Sequence, residues 1–294
     1  MCRVWLGFTI LWILYGLVGS ASAAEKSTHA RLAIIIDDIG YNPSLSYRAA
    51  RLPGNFTLSV LPFTPYGRDA AQLALTQGKE LMLHVPMSNI ANLPLGAGGL
   101  HSGMDKEKFV AILRQDITSL SHIKGVNNHM GSRLTQEAEP MGWVMEELSE
   151  HGLYFVDSRT SAKTKALEIA RQWQIPSVKR DVFLDDIQEP DEIKRELSRA
   201  IQLAQQHGMA VAIGHPYPST LKLLEGIQPL LAKEQISLVF VSQLLDRQLN
   251  HPKLSPEVSI QNSYGYCPAP EFSVFTIVKE SVESIGLEEQ EFIE

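Results

Sequence analysis

Short apolar runs alternate along this chain with segments of helical periodicity, and that alternation restricts the possible folds more than any other feature. Eight runs are present, at 32–37, 56–61, 81–86, 125–129, 153–157, 177–184, 210–215 and 236–241. Each is short and apolar enough to be a buried strand. Strands separated by helices pair in parallel through right-handed crossovers, in an open doubly wound sheet or a closed barrel. Seven or eight units over about 210 residues favour the barrel. We therefore predict an α/β fold, a distorted (β/α) barrel of seven or eight parallel strands.

The helical segments carry their own boundary signals. The clearest begins at Pro190, repeats apolar residues on one face over 193–204 and ends at Gly208. Apolar residues repeat in the same way over 141–148, which predicts a second helix there. Glycine favours the left-handed conformation in which helices end, so we predict glycine C-caps at four positions that precede strands: Gly78, Gly125, Gly152 and Gly208.

Residues 1–23 have the pattern of a secretory signal peptide. Arg3 precedes an apolar run over 4–18, and Ala21 and Ala23 form an Ala-x-Ala cleavage site. The run is shorter than the roughly 20 residues of a membrane-spanning helix, although an uncleaved anchor is the alternative. We expect an exported protein, periplasmic or secreted.

The remaining chain divides into one predicted barrel domain at 31–250 and an acidic segment at 251–294. That last segment has no clear periodicity, and we expect a mobile or loosely docked extension.

Removing residues 1–23 takes away one basic residue and leaves 25 basic against 33 acidic residues, a net charge of −8. This balance argues against nucleic acid as a partner. No glycine-rich phosphate loop follows any strand, so we expect no nucleotide cofactor.

Several strands end in a side chain that binds metals or moves protons. These are Asp37, Asp38, His84, His129, Asp157 and His215. The carboxyl ends of parallel barrel strands share one face, where active sites of this fold are built. A lone histidine near a strand is more often structural, but coincidence at five strand ends favours a common site.

One carboxylate and two imidazoles are a ligand set suited to Zn²⁺ or a similar divalent ion, with positions left open for water and substrate. Asp37 and Asp38 can serve one site only if the strand ends or bends there, which Gly40 permits. The alternative, that this pair caps a helix, is weakened because Asn42-Pro43 already supplies a cap and a first-turn residue. The two imidazoles meant here are His84 and His129. A structural role for His84 and a turn position for His129 remain open as alternatives.

His215 is the best candidate for a general acid, because imidazole titrates near neutral pH. A capped strand end is the alternative for this residue. Asp157, with Ser158 and Arg159, is expected either to contact a sugar or to orient a metal-bound histidine. The segment 179–186 holds Arg180, Asp181 and Asp185. These three residues could position a catalytic carboxylate or form surface pairs, and both interpretations stay open.

Four segments together resemble the polysaccharide deacetylases of the NodB-like superfamily, and most closely the divergent polysaccharide deacetylase family of YibQ-like exported proteins. They are Ile-Ile-Asp-Asp-Ile-Gly (35–40), His-Val-Pro-Met (84–87), Asn-His-Met-Gly-Ser (128–132) and Gly-His-Pro (214–216). The resemblance implies a distorted (β/α) barrel with a divalent metal. It also implies that Asp37 is the general base and Asp38 a metal ligand.

One position departs from the better-characterised deacetylases, whose second motif has two histidines four residues apart. Ser88 stands four residues after His84, so His129 must supply the third ligand. The expected function is metal-dependent hydrolysis of an N- or O-acetyl group on an envelope or extracellular carbohydrate. The rival is a non-catalytic glycan- or peptidoglycan-binding protein on the same scaffold, and a metal-dependent phosphoesterase is a weaker third reading.

Overall fold

The computed structural model describes residues 30–245, which form nine strands and nine α-helices. The strands are β1 Ala30–Ile39, β2 Thr57–Val60, β3 Glu80–Met87, β4 Ile123–Met130, β5 Tyr154–Asp157, β6 Ser177–Lys179, β7 Val182–Phe183, β8 Met209–Gly214 and β9 Ile236–Leu238. The helices are α1 Pro43–Ala50, α2 Gly67–Thr76, α3 Lys106–Ser119, α4 Ala138–His151, α5 Ala166–Gln172, α6 Pro190–His207, α7 Pro218–Glu225, α8 Gln228–Lys233 and α9 Val241–Leu244.

All pairings between these strands are parallel, in the order β6-β5-β4-β3-β2-β1-β8-β7, with β9 paired to the start of β1. The sheet is curled into a partly open barrel with helices packed on its outer face. The predicted fold class is therefore confirmed.

The run at 177–184, predicted as a single strand, forms two. Its first part, β6, pairs with β5, and its second part, β7, pairs with β8. The partner changes between two consecutive residues: the Arg180 amide donates to the Asp157 carbonyl, and the Asp181 amide donates to the Val211 carbonyl. This segment thus joins the two ends of the sheet.

Side-chain alternation along the strands separates two cores. On β1, Leu32, Ile34 and Ile36 belong to the larger cluster between sheet and helices, whereas Ala33 and Ile35 point to a smaller cluster inside the barrel. The inner cluster receives one or two apolar residues from each contributing strand and is completed by α9 and Leu245: Ala33, Ile35, Met82, Tyr154, Val156, Val178, Val211, Ile213, Val241, Leu244 and Leu245. The inner positions that follow these residues, toward the carboxyl ends of the strands, carry the polar groups described below.

The helix boundaries agree with the sequence signals at Pro190 and at two of the four predicted glycine caps. Pro190 opens α6, and Gly208 and Gly152 adopt the left-handed conformation at the C-caps of α6 and α4. Gly78 follows the cap of α2 with a φ of 68°. The prediction for Gly125 is wrong, because this residue lies inside β4. A Cβ there would meet the Tyr154 ring at 2.2 Å, so the close approach of that ring requires glycine.

Within residues 30–245, no helix is long and apolar enough to cross a membrane. The predicted signal peptide at 1–23 and the acidic segment at 251–294 lie outside the described residues, and the proposed domain limits stay predictions.

Candidate active site

Alternation along four strands brings five polar side chains to the mouth of the barrel, above the inner core. They are Asp37 at the end of β1, His84 on β3, Asn127 and His129 on β4, and His215 directly after β8. His84 and Asn127 are direct partners in the register of β3 and β4. The inner-facing positions thus change from apolar to polar toward the carboxyl ends of the strands.

The two adjacent carboxylates reach the same site because β1 is irregular there. The pairing register with β2 shifts between Ile36 and Ile39, and Asp38 has a φ of 56°. A bulge of this kind re-aims a side chain that a regular strand would direct to the opposite face. The helix-cap alternative does not apply, since Asn42 caps α1 by accepting from the Leu45 amide at 3.1 Å.

Three candidate ligand atoms converge at the mouth. Asp38 Oδ1 lies 3.2 Å from His84 Nε2 and 2.9 Å from His129 Nδ1. The two imidazole nitrogens are 3.2 Å apart. Ligands bound to one Zn²⁺ at about 2.0–2.1 Å in a tetrahedral shell are separated by roughly 3.3 Å, so these spacings fit a single divalent ion.

The protonation preferences of this cluster also suit a cation. Asp38 Oδ1 is buried and has no hydrogen bond of acceptable geometry, despite the two nearby ring nitrogens. Burial acts to raise the pKa of Asp38, but contacts with His129 and His84 outweigh it and hold this pKa well below its usual range. A buried anionic oxygen facing two nitrogens is the arrangement that a divalent cation would stabilise.

Asn127 fixes the orientation of two groups in the site, and sequence reasoning did not single it out. It is fully buried, and its amide donates to Asp37 Oδ1 at 2.9 Å. A carboxylate only accepts, so the Asn127 oxygen must face the other way, where His84 Nδ1 lies at 2.7 Å and Ser59 Oγ donates at 2.6 Å. His84 therefore carries a proton on Nδ1, and its Nε2 is the ring nitrogen that faces Asp38 and could bind a cation. Counting back two residues from His129 would have placed Asn127 on the same face.

Asp37 is 2 % exposed and lies beside the metal-ligand cluster. Its Oδ2 is 3.6 Å from His84 Nε2. Burial is the largest influence and raises the pKa of Asp37, although His84 and His215 act in the opposite direction. A carboxylate of raised pKa is a stronger base than a solvated one, which suits a proton acceptor.

His215 is held on the other side of the mouth by Asp185. Asp185 Oδ1 lies 2.8 Å from His215 Nδ1, and Oδ2 accepts from the His215 amide at 2.6 Å and the Thr220 hydroxyl at 2.7 Å. Burial acts to lower the pKa of His215, but the hydrogen bond with Asp185 outweighs it and raises this pKa to about 9. His215 Nε2 faces the site, 3.9 Å from Asp38 Oδ2. Asp185 is buried, so the surface-pair interpretation is wrong for it, and the catalytic candidate that it positions is an imidazole rather than a carboxylate.

A family profile described as divergent polysaccharide deacetylase matches residues 34–245. The chain belongs to the divergent polysaccharide deacetylase family. Membership places it among deacetylase-type hydrolases, a class that acts on carbohydrate, and every candidate site residue of the chain lies within the matched segment.

Two relatives agree with this assignment, and one solved structure shares the fold. The chain is 35 % identical over 242 residues to the Escherichia coli (strain K12) protein YibQ, covering 82 % of this chain and 74 % of that protein. It is 36 % identical over 242 residues to a protein of Haemophilus influenzae, covering 82 % and 84 %. The crystal structure of the Agrobacterium tumefaciens protein ATU2773 superposes with a TM-score of 0.71 at 24 % identity, covering 74 % of this chain and 89 % of that one.

In this family member, Asp157 and Ser158 support the loop after β5 and do not contact the two ligand histidines. Asp157 is fully buried and accepts from the Arg159 amide at 2.8 Å and the Thr164 hydroxyl at 3.1 Å. The Ser158 amide donates to the Asn128 side chain at 3.0 Å. The hydrogen bond that orients His84, a candidate ligand, instead involves the side-chain amide of Asn127 on β4.

Arg159 and Arg180 lie at the edge of the mouth. Arg180 donates to the carbonyls of Ser158 at 2.7 Å and Arg159 at 2.9 Å, and its guanidinium carbon lies 3.7 Å from the centre of the Phe183 ring. That ring stacks on His215 with centroids 6.0 Å apart. Arg180 is thus adjacent to the candidate acid through one aromatic ring.

Ser88, at the position where other deacetylases have a second histidine, anchors a loop instead. Its hydroxyl donates to the Leu100 carbonyl at 3.2 Å and accepts from the Ser102 amide at 2.8 Å. In its place His129, from the neighbouring strand, completes the group that can hold a metal.

Proposed function

We propose that this protein is an exported, metal-dependent carbohydrate deacetylase that hydrolyses N- or O-acetyl groups of an envelope or extracellular polysaccharide. One observation carries the proposal. A carboxylate oxygen and two imidazole nitrogens converge within hydrogen-bonding distance of one another, with a buried carboxylate and a carboxylate-paired histidine beside them. Export rests on the sequence of residues 1–23 alone.

Asp38, His84 and His129 would hold the cation, and Zn²⁺ suits this ligand set. When bound, a divalent cation at this position makes water more acidic and polarises a carbonyl group. The protein's own contribution is to present the ligand atoms already converged, with the tautomer of His84 set by Asn127.

Two groups of the chain would move protons. Asp37 would accept a proton from the attacking water through Oδ2, since Oδ1 is already bound by Asn127. His215 is protonated at neutral pH because its pKa is about 9, and its Nε2 would donate to the leaving nitrogen or oxygen. Asp37 lies on β1 and His215 follows β8, so base and acid come from neighbouring strands of the same mouth.

Metal analysis and acetate release from purified protein test the proposal. We expect about one divalent ion per chain and metal-dependent release of acetate from acetylated glycans, abolished by chelation and restored by Zn²⁺. Asp37→Asn is the matched control, since it preserves shape and keeps the metal but should slow turnover by about 10² or more. A metal-loaded wild type that releases no acetate from a broad panel of acetylated glycans, yet binds them, would support the rival glycan-binding function.

A further inference from the structure

A cleft of about 650 Å³ lies where the two ends of the sheet meet, away from the metal-ligand cluster. One wall is β6 with Leu167 and Arg171 of α5, and the other is the start of β8 with the end of α6. We call this feature the seam cleft. It exists because β6 pairs only with β5, whereas β7 pairs with β8 only at Ala212 and Ile213. The first residues of β8 therefore face β6 across a gap, whose volume falls within the roughly 300–1,000 Å³ of small-molecule sites.

The seam cleft is basic in a chain whose net charge is −7. Four cationic side chains and one carboxylate line it: Arg159, Arg171, Lys179, Arg180 and Asp181. Lys179 and Asp181 form an ion pair at 3.6 Å. Among residues 30–245, no hydrogen bond or ion pair is seen for the guanidinium group of Arg171, and that of Arg159 has only a longer-range attraction to Asp157, whose pKa it acts to lower. Two guanidinium groups with unused hydrogen-bond donors in a concave site suit a carboxylate or phosphate, which each can bind through two parallel hydrogen bonds.

One residue of the seam cleft, Arg180, is connected to the candidate acid through an aromatic ring. Arg180 lines the cleft, lies over the Phe183 ring, and through that ring is adjacent to His215. The path we infer for an extended ligand runs from His215 past Phe183 to Arg180 at the cleft. Backbone carbonyls already hold Arg180 in this position, so little side-chain entropy is lost when a ligand binds.

We propose that the seam cleft is a subsite for an anionic sugar unit, one bearing a carboxylate or phosphate, of the glycan chain whose acetyl group lies at the mouth. This inference rests on the proposed function and specifies its substrate class as an acidic polysaccharide. Binding energy gained in the cleft orients the acetylated unit, so the charged unit and the acetylated unit lie on the same chain.

Equilibrium binding measured by calorimetry at low salt tests the subsite. The probes are a galacturonate oligosaccharide, its fully methyl-esterified form, an oligosaccharide of equal length carrying phosphate, and inorganic phosphate. We expect the acid to bind at least about tenfold more tightly than its ester, and we expect the preference to weaken as salt is raised. The relative affinities of the carboxylate and phosphate oligosaccharides identify which anion the cleft accepts.

Two double variants with equal loss of charge locate the site. Arg171→Gln with Lys179→Gln removes exposed cations of the seam cleft and should weaken binding of the acidic oligosaccharide about tenfold. Lys124→Gln with Lys222→Gln removes exposed cations elsewhere and should change binding less than about twofold. Since all four side chains are exposed, we expect both proteins to fold, and Arg171→Gln alone should show a smaller loss in the same direction.

Three results would overturn the subsite: equal affinity for acid and ester, equal losses in the two double variants, or inorganic phosphate binding as tightly as the oligosaccharides. The last would mean an anion site without a sugar contribution. These measurements need no turnover. Absence of acetate release would refute the proposed function and leave the binding result standing, so the two failures are distinguishable.

Discussion

Asp38 and Asp116 both have buried carboxylate oxygens without a hydrogen bond, yet their surroundings move their acidities in opposite directions. Asp116, on α3, lies against the backbone of Gly98, where a Cβ would be 2.2 Å from its Oδ1. Burial alone raises the pKa of Asp116 to about 8. Burial acts in the same sense on Asp38, but His129 and His84 outweigh it and keep that carboxylate ionised.

The difference shows that an unsatisfied buried carboxylate does not by itself indicate a metal site. Asp116 meets the cost of burial by holding its proton, which removes the charge that a cation would need. Asp38 remains an anion because two imidazoles share the cluster. The converged nitrogens, rather than the carboxylate, distinguish the candidate metal site from a buried acid in a helix.

The largest expected effect is that of Asp38→Asn. An amide oxygen is a much poorer ligand than a carboxylate, so bound metal should fall from about one ion per chain to near zero, and acetate release should fall to the metal-free background. Elemental analysis with an acetate assay measures both. Asp116→Asn is the matched control and should retain metal and activity. If Asp38→Asn retained stoichiometric metal, the ligand assignment would be wrong.

His215→Gln tests whether a third imidazole near Asp38 belongs to the metal shell. We expect unchanged metal content and a turnover lower by about 10² to 10⁴, because only a proton donor is lost. Loss of the metal would make His215 a ligand instead.

Asp185→Asn gives a related pH measurement. His215 acts in its protonated form, which is lost as pH rises through its pKa of about 9. Replacing the Asp185 carboxylate by an uncharged amide removes the interaction that raises the pKa of His215. The alkaline limb of the pH–rate profile should therefore move to lower pH. An unmoved limb would contradict the assignment of His215 as the acid.

Asn127→Leu tests the positioning of the nitrogen that faces Asp38. The change removes the acceptor for His84 Nδ1–H and the donor to Asp37, and we expect metal affinity to fall by about 10- to 100-fold. Asn127→Asp keeps the acceptor while placing a second carboxylate against Asp37, so it should retain metal and lose turnover. Metal titration and turnover measured on both variants separate these effects. Equal metal affinity in the leucine variant and the wild type would exclude a positioning role.

The smallest effect is on stability and distinguishes Asp116 most directly from Asp38. The folded pKa of Asp116, about 8, lies above its ordinary value of 3.8, so the free energy of unfolding falls as pH rises between these values. Asp116→Asn should remove this dependence and raise the free energy of unfolding above pH 8 by roughly 2 kcal/mol or more. Urea denaturation at pH 5 and at pH 8.5 measures it. A variant that is less stable at pH 8.5 would show that the carboxyl has a partner.

Much of the fold was readable from the sequence because local patterns specify it. Each of the eight runs predicted as strands contains a strand, and Pro190, Gly152 and Gly208 bound helices as their backbone preferences require. The last run was predicted too long: β9 ends at Leu238, and Val241 begins α9. Apolar runs ending in polar residues indicated which end of the barrel holds the site. Nothing in the local pattern indicated that 177–184 would exchange one partner strand for another, because both halves have the composition of a buried strand.

The sequence by itself determined which residue types stand at the strand ends, since strand length and period-two alternation are local properties of the chain. Only the tertiary structure decided their pairing. Asn127 meets His84 because β4 lies beside β3, and Asp185 meets His215 because the segment after β7 lies beside the end of β8. Such contacts join residues 43 and 30 positions apart in the chain, where strand order and register, rather than local propensity, set which side chains meet.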